Sequence, residues 1–163
     1  MGTNAASKSM NLSKSILHNI GVVIVGLGVA LLGRKGDSVF GISGFRSIFA
    51  TSIGWLLLVV GFLVRVWATF YFYERQMKVI SLVPQKALIT SGPYRFSRNP
   101  LYLGGNVFIF FGAGLLLGSP TALLITAFHL PFVDLFIRRE EKQLEEDFGQ
   151  EWVRYKKQVR RWI

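Results

Sequence analysis

Residues 101–137 read LYLGGNVFIFFGAGLLLGSPTALLITAFHLPFVDLFI, and the three residues between the two apolar runs decide the fold. Each run is close to the roughly 20 residues a helix needs to cross the hydrocarbon core of a bilayer. Only Gly118-Ser119-Pro120 separates 101–118 from 120–137, so the pair is expected to form a tight antiparallel transmembrane hairpin. Two further blocks lie upstream. Residues 16–33 (ILHNIGVVIVGLGVALLG) are about one span long, and residues 47–73 exceed a span, so that helix should tilt or protrude. The expectation is an all-α integral membrane protein of four spans, with one domain over 1–163 and a cytoplasmic tail over 138–163.

Composition agrees. The chain is 51% hydrophobic and 14% aromatic, and its 17% charged residues are too few to coat a soluble domain of 163 residues. A net charge of +10 would suggest nucleic acid in a soluble protein, but no basic stripe carries a nucleic-acid motif here. The charge is instead distributed by side. With four spans, residues 1–15, 74–100 and 138–163 share one side and carry 2, 5 and 8 Lys/Arg, whereas the opposite loops carry only Arg34, Lys35 and Arg46. That asymmetry predicts cytoplasmic termini and a cytoplasmic 74–100 loop. Residues 1–15 end in no clear cleavage site, so 16–33 reads as a retained helix. A short chain without targeting features suits a prokaryotic inner membrane. With no cysteine, disulfides, thiolate metal sites and cysteine nucleophiles are excluded.

The tail carries Leu144, Phe148, Trp152, Tyr155, Val159 and Trp162, one stripe of an amphipathic helix. It should lie on the membrane surface or pack over the cytoplasmic loop.

Some residues stand where polarity is costly. An arginine within a span costs about 2.5–3.5 kcal/mol on insertion scales, so Arg65 needs a partner or a wet cavity. Pairing with Asp134 is one expectation. Asp134, Arg138 and Glu141 share a helix face, with Glu140 about 100° away from Glu141. His129 reads as a hydrogen-bonded packing residue, and no His/Asp/Glu group has metal-ligand spacing. Pro131 is expected to kink its helix.

Before the hairpin stands SGPYRFSRNPLYLGG, residues 91–105. Ser91-Gly92-Pro93 and Asn99-Pro100 are turn signals, Asn99 suits an N-cap, and Pro100 suits a first helical turn. The free N–H groups of such a helix start favour an anion. Gly92, Gly104 and Gly105 admit close approach, and Tyr94 and Tyr102 offer faces to a cation. A plain interfacial anchor fits these residues equally well. Glu140 and Glu141 leave the membrane on the same side, however. One pocket there would present carboxylates, a helix start and tyrosines to a ligand carrying an ammonium, a carboxylate and a sulfonium.

The two stretches GPYRFSRNPLYLGG and RREEKQLEEDFGQEWVRYKKQV together resemble the isoprenylcysteine carboxyl methyltransferase family and the related phospholipid N-methyltransferases. The shared pattern is G-P-Y-x-x-x-R-[HN]-P-x-Y-x-G followed by E-E-x-x-L-x-x-x-F-G-x-x-[YW]-x-x-Y. Arg65-Val66-Trp67 is similar to an R-x-W element upstream, so the likeness covers residues 65–163. It implies methyl transfer from S-adenosylmethionine to a lipophilic acceptor at the cytoplasmic face. Carried over, the cofactor residues are Gly92, Pro93, Tyr94, Arg98, Asn99, Pro100, Tyr102, Leu103, Glu140 and Glu141. Arg98, Arg138 and Glu141 are the catalytic candidates, the arginines to orient an anionic acceptor and Glu141, with Asp134 as a second choice, to take a proton from an amine. Asn99 departs from the histidine of many carboxyl methyltransferases and matches many phospholipid methyltransferases, and it supplies no base near neutral pH. Other readings remain: a phospholipid amine N-methyltransferase, an NADPH-dependent membrane reductase of similar fold, and a scaffold associating through Gly114-xxx-Gly118. Gly26-Leu27-Gly28 imitates a dinucleotide fingerprint but lies inside a span and lacks its third glycine.

Overall fold

The computed structural model describes residues 2–77, 79 and 87–163, with side chains from residue 7. Lys78 and Lys86, counted above among the cytoplasmic charges, lie outside the described residues. The described chain is helical without strands, and four helices are long and apolar enough to cross a membrane.

Helix α1, Gly2–Val39, is far longer than the 16–33 block. Contacts with its neighbours hold it near both ends. Near its start, Ser15 and Asn19 are buried against α2, Ile48–Glu74. Near its end, Arg34 Nη1 donates to the Leu117 carbonyl at 2.6 Å. Asp37 accepts from the Ser119 hydroxyl at 2.5 Å and from the Thr121 N–H at 2.9 Å, so one helix caps the start of another. Helix α2 matches its expected block and begins on Ser47, whose hydroxyl accepts from the Ala50 N–H.

Helix α3, Pro100–Leu117, is not uniform: an α turn at Pro100–Tyr102 leads into a π segment, Leu103–Ile109, and then back to α geometry at Phe110–Leu117. The expected hairpin follows. Gly118 takes the left-handed conformation at φ 59°, where glycine avoids a side-chain clash, and Ser119 caps α4, Pro120–Phe148. Helix α4 continues through Pro131, so the proline does not interrupt it, and it projects eleven residues beyond position 137. The tail is therefore two pieces. Gly149 breaks it, and α5, Gln150–Gln158, folds back.

The helices pack through small residues. A β-carbon on Gly61 would lie 2.6 Å from the Gly104 carbonyl oxygen, and one on Gly54 would lie 2.9 Å from that of Gly112. Gly114 lies against Leu123 of α4. With Gly118 forming the turn, the Gly114-xxx-Gly118 spacing is used inside the chain. Leu56, Leu63, Phe128 and Leu135 remain exposed on the outside, as a lipid-facing surface requires.

Arg65 does not reach Asp134. Its Nε donates to Asn19 Oδ1 at 2.7 Å and its Nη1 to the Leu101 carbonyl at 2.6 Å. Asn19 in turn donates to Thr69 Oγ1 at 2.8 Å, and Thr69 meets the Ser15 hydroxyl. The reason is orientation: Arg65 faces the junction of α1, α2 and α3, whereas Asp134 pairs with Arg138 of its own helix at 2.7 Å and faces the C-terminal arm, residues 149–163, whose Arg161 it meets at 3.1 Å.

Candidate functional site

At the end of the bundle where α3 starts and α4 projects lies a cavity of about 440 Å³. Small-molecule sites span roughly 300–1,000 Å³. Three parts of the sequence build its walls. The chain before α3 contributes Tyr94, Arg98 and Asn99; α3 itself contributes Pro100, Tyr102 and Asn106; and α4 contributes Phe136, Arg139, Glu140 and Gln143. Arg65 lines it from α2, and Trp152 and Tyr155 from α5.

The loop is held by local geometry. Gly92 opens a single 3-10 turn, Gly92–Arg95, at φ 63°, and a β-carbon there would fall 2.5 Å from the Tyr71 ring. This turn buries Pro93 and Tyr94. Asn99 occupies the start of α3 as expected, but its side chain does not cap the helix; it donates to the Arg161 carbonyl at 3.3 Å.

The tail's apolar stripe packs over this loop. Met77, Ile89, Tyr94, Trp152 and Tyr155 form one buried cluster with Leu144, Phe148 and Val159 against it, and the Tyr155 hydroxyl donates to the Tyr94 carbonyl at 2.7 Å. Trp162, the last residue of the stripe, stays half-buried outside that cluster.

The two glutamates are separated in space as their helical angle requires. Glu140 stands exposed at the cavity, beside the Tyr102 hydroxyl. Glu141 is buried and faces the arm. One of its oxygens accepts from Arg98 Nε at 3.0 Å and Nη2 at 2.8 Å, the other from Arg161 Nη2 at 2.7 Å. Arg98 Nη1 donates to the Lys156 and Val159 carbonyls, both at 3.0 Å, so most of its donors are committed. Its guanidinium also lies 5.7 Å from the Trp152 ring centre. Arg138 is exposed and paired with Asp134.

Of the residues expected at a cofactor, Tyr94, Arg98, Asn99, Pro100, Tyr102 and Glu140 line the cavity, while Gly92, Pro93, Leu103 and Glu141 do not. Ala87, Leu88 and Ile89 line it too, together with Asn106, Phe136 and Trp152. Sequence reasoning missed these as site residues. Asn106, a polar residue within an apolar run, was the available signal.

Burial pushes the Tyr94 phenol well above the ordinary tyrosine range, and burial likewise raises Tyr155. The hydrogen bond to Glu141 raises Arg161. Among the described residues, the Tyr94 hydroxyl and the Trp152 indole N–H are buried without a hydrogen-bond partner, although both residues line the cavity. Orphan donors beside a carboxylate are what a polar, positively charged ligand with acceptor atoms would satisfy. The residues present thus fit a methyl donor of the sulfonium nucleotide type.

Comparison with known proteins defines the class. Residues 49–151, more than half of the chain, match the family described as phospholipid methyltransferase. The chain belongs to this family of membrane methyltransferases. A stretch of 75 residues is 43% identical to the protein-S-isoprenylcysteine O-methyltransferase of Saccharomyces cerevisiae, covering 44% of this chain. The match spans only 30% of the length of that curated relative. No solved structure matches the chain.

Proposed function

We propose that the chain transfers a methyl group from S-adenosylmethionine to a lipophilic acceptor at the cytoplasmic face, in the manner of an isoprenylcysteine carboxyl methyltransferase. The supporting observation is the meeting of Glu140, Tyr94, Tyr102 and the Asn99-Pro100 start of α3 around one cavity, in a chain of a methyltransferase family. The cytoplasmic orientation rests on the lysine and arginine asymmetry.

When bound, the cofactor supplies an electrophilic methyl on a positively charged sulfur, and transfer returns the sulfur to a neutral thioether. Glu140 offers its carboxylate to the cofactor's positive or hydroxyl groups. Tyr94 and Tyr102 offer ring faces to a cation, and the Tyr94 hydroxyl and Trp152 N–H offer donors to its acceptor atoms. Arg98 and Glu141 act one step away: their ion pair fixes the loop that bears Tyr94 and Asn99. A carboxylate acceptor carries its own lone pair and needs no base. An amine acceptor loses a proton, and Glu140 is placed to hold it, because the oxygens of Glu141 and Asp134 are already engaged by arginines. The acceptor's apolar part stays among the helices, so that the protein's contribution is position. A phospholipid amine is the second acceptor class, favoured by the family's description and by Asn99.

Isothermal calorimetry of the detergent-solubilised chain with S-adenosylhomocysteine tests this reading. The wild type should bind, and Glu140→Ala should weaken binding about tenfold or more, the loss of one charge-assisted contact. Absent binding, or an unchanged affinity in the variant, would reject the cofactor site.

A further inference from the structure

The mechanism above leaves Asn106 without a task. Asn106, in the π segment of α3, lines the cavity, yet its Oδ1 lies 3.0 Å from Nε2 of His129 on α4. His129 is exposed on the outer surface of the bundle, its ring stacked on Phe110 at 6.4 Å between centres. A single side chain thus joins the cavity to the lipid-facing surface. One turn nearer the cytoplasm, the Tyr102 and Phe136 rings meet at 6.4 Å across the same α3–α4 seam. Both of these residues line the cavity as well.

Asn106 and His129 are polar side chains at a lipid-facing seam, an unfavourable place unless something uses them. The hydrogen bond satisfies only half of each. With His129 donating from Nε2–H, the Asn106 oxygen is satisfied while its NH2 donors have no partner among the described residues, and Arg65, which also lines the cavity, is itself a donor. Donors in that corner select oxygen. The π segment matters too, because one residue more per turn sets Asn106 off the α-helical register, and such segments recur at functional sites.

We propose that Asn106, oriented by His129, is the positioning residue for the acceptor: its amide N–H binds an oxygen of the acceptor's head group where the seam between α3 and α4 admits a lipid chain. This rests on the methyl-transfer reading above and specifies its acceptor as an oxygen-bearing head on an apolar tail. In the transfer, the acceptor oxygen not held by Asn106 forms the new C–O bond as the methyl–sulfur bond breaks, and the electron pair goes to sulfur.

The test uses the full chain in detergent with radiolabelled S-adenosylmethionine and N-acetyl-S-farnesylcysteine as the acceptor probe. Asn106→Leu should raise the KM for the probe about tenfold, the loss of one hydrogen bond to a charged group, and change kcat far less. S-adenosylhomocysteine affinity should stay within about twofold, which also shows that the variant is folded. His129→Phe should raise KM by a smaller factor, and His129→Gln, which keeps a donor, should restore it. An unchanged KM in Asn106→Leu overturns the proposal, as does a loss of S-adenosylhomocysteine affinity that parallels the KM change. A wild type that binds S-adenosylhomocysteine but methylates no farnesylcysteine overturns it as well, leaving the cofactor reading intact. A wild type that fails to bind S-adenosylhomocysteine strikes the methyl-transfer reading itself.

Discussion

Glu140 and Glu141 are neighbours with opposite surroundings, for which the proposal above implies opposite tasks, and substituting each by alanine should separate them. Glu141 is 7% exposed and its partner Arg98 8%, so this pair is removed from water, whereas Arg161 keeps 23% of its surface. The carboxylate accepts from Arg98 at 2.8 and 3.0 Å and from Arg161 at 2.7 and 3.2 Å. Glu141→Ala strands the buried Arg98 guanidinium. Removing one partner of a buried pair costs about 3–5 kcal/mol, with the more exposed Arg161 contributing the lesser part. For a chain of this size, each kcal/mol moves the melting temperature by about 2–4 °C, so the expected loss is roughly 6–20 °C. Glu140 makes no ion pair among the described residues, and its replacement should stay within about 0.5 kcal/mol, near 2 °C. A thermal melt in detergent followed by intrinsic fluorescence reads both, and calorimetry with S-adenosylhomocysteine on the same samples reads binding. Glu141→Ala should melt early, while Glu140→Ala should melt like the wild type and bind weakly. The reasoning is refuted if Glu141→Ala melts with the wild type, or if the large loss of stability follows Glu140→Ala.

Tyr94→Phe removes a hydroxyl that is buried without a partner among the described residues, so it should leave the melting temperature unchanged or raise it while weakening S-adenosylhomocysteine binding. The same variant bears on pH. Burial raises the Tyr94 phenol above its unfolded value near 10, so its stabilising contribution is complete below that pH and is lost as pH rises toward the folded value. Denaturation above pH 10 should therefore be shallower in Tyr94→Phe than in the wild type. Gly61→Ala places a β-carbon 2.6 Å from the Gly104 carbonyl oxygen and 2.8 Å from Phe108 Cβ. Because backbone cannot yield there, α2 and α3 must part, at about 1–3 kcal/mol by the same melt. Asn19→Leu removes the acceptor of Arg65 Nε, and it should destabilise by about 1.5–3 kcal/mol, with Asn19→Asp milder because it keeps the acceptor.

Much of this architecture is legible in the sequence because hydropathy reports the bilayer directly. The 47–73 block and the Gly118-Ser119-Pro120 turn correspond closely to α2 and to the hairpin. What hydropathy does not report is helix continued by polar contacts. Residues 34–39 read as loop because Arg34, Lys35 and Asp37 are charged, yet Asp37 holds the start of α4 and keeps the segment helical. The need of Arg65 for a partner was evident, but its identity depended on the packing of α1, which brings Asn19 to it. Helical angle placed Asp134, Arg138 and Glu141 on one face and Glu140 on another. Which face meets the cavity was not legible, because the break at Gly149 decides where the arm returns. The π segment left no signal beyond Gly104-Gly105, where β-carbons would strike Arg65.

Beyond its apolar stripe, the arm grips the loop through its backbone. The carbonyls of Lys156, Val159, Arg160 and Arg161 receive donors from Ser97, Arg98 and Asn99, and only Arg161 adds a side-chain ion pair to Glu141. Carbonyls are common to every residue type. The outward chemistry of positions 157 and 160 can therefore be rewritten, toward more charge, less charge or greater bulk, without unfastening the arm from the loop.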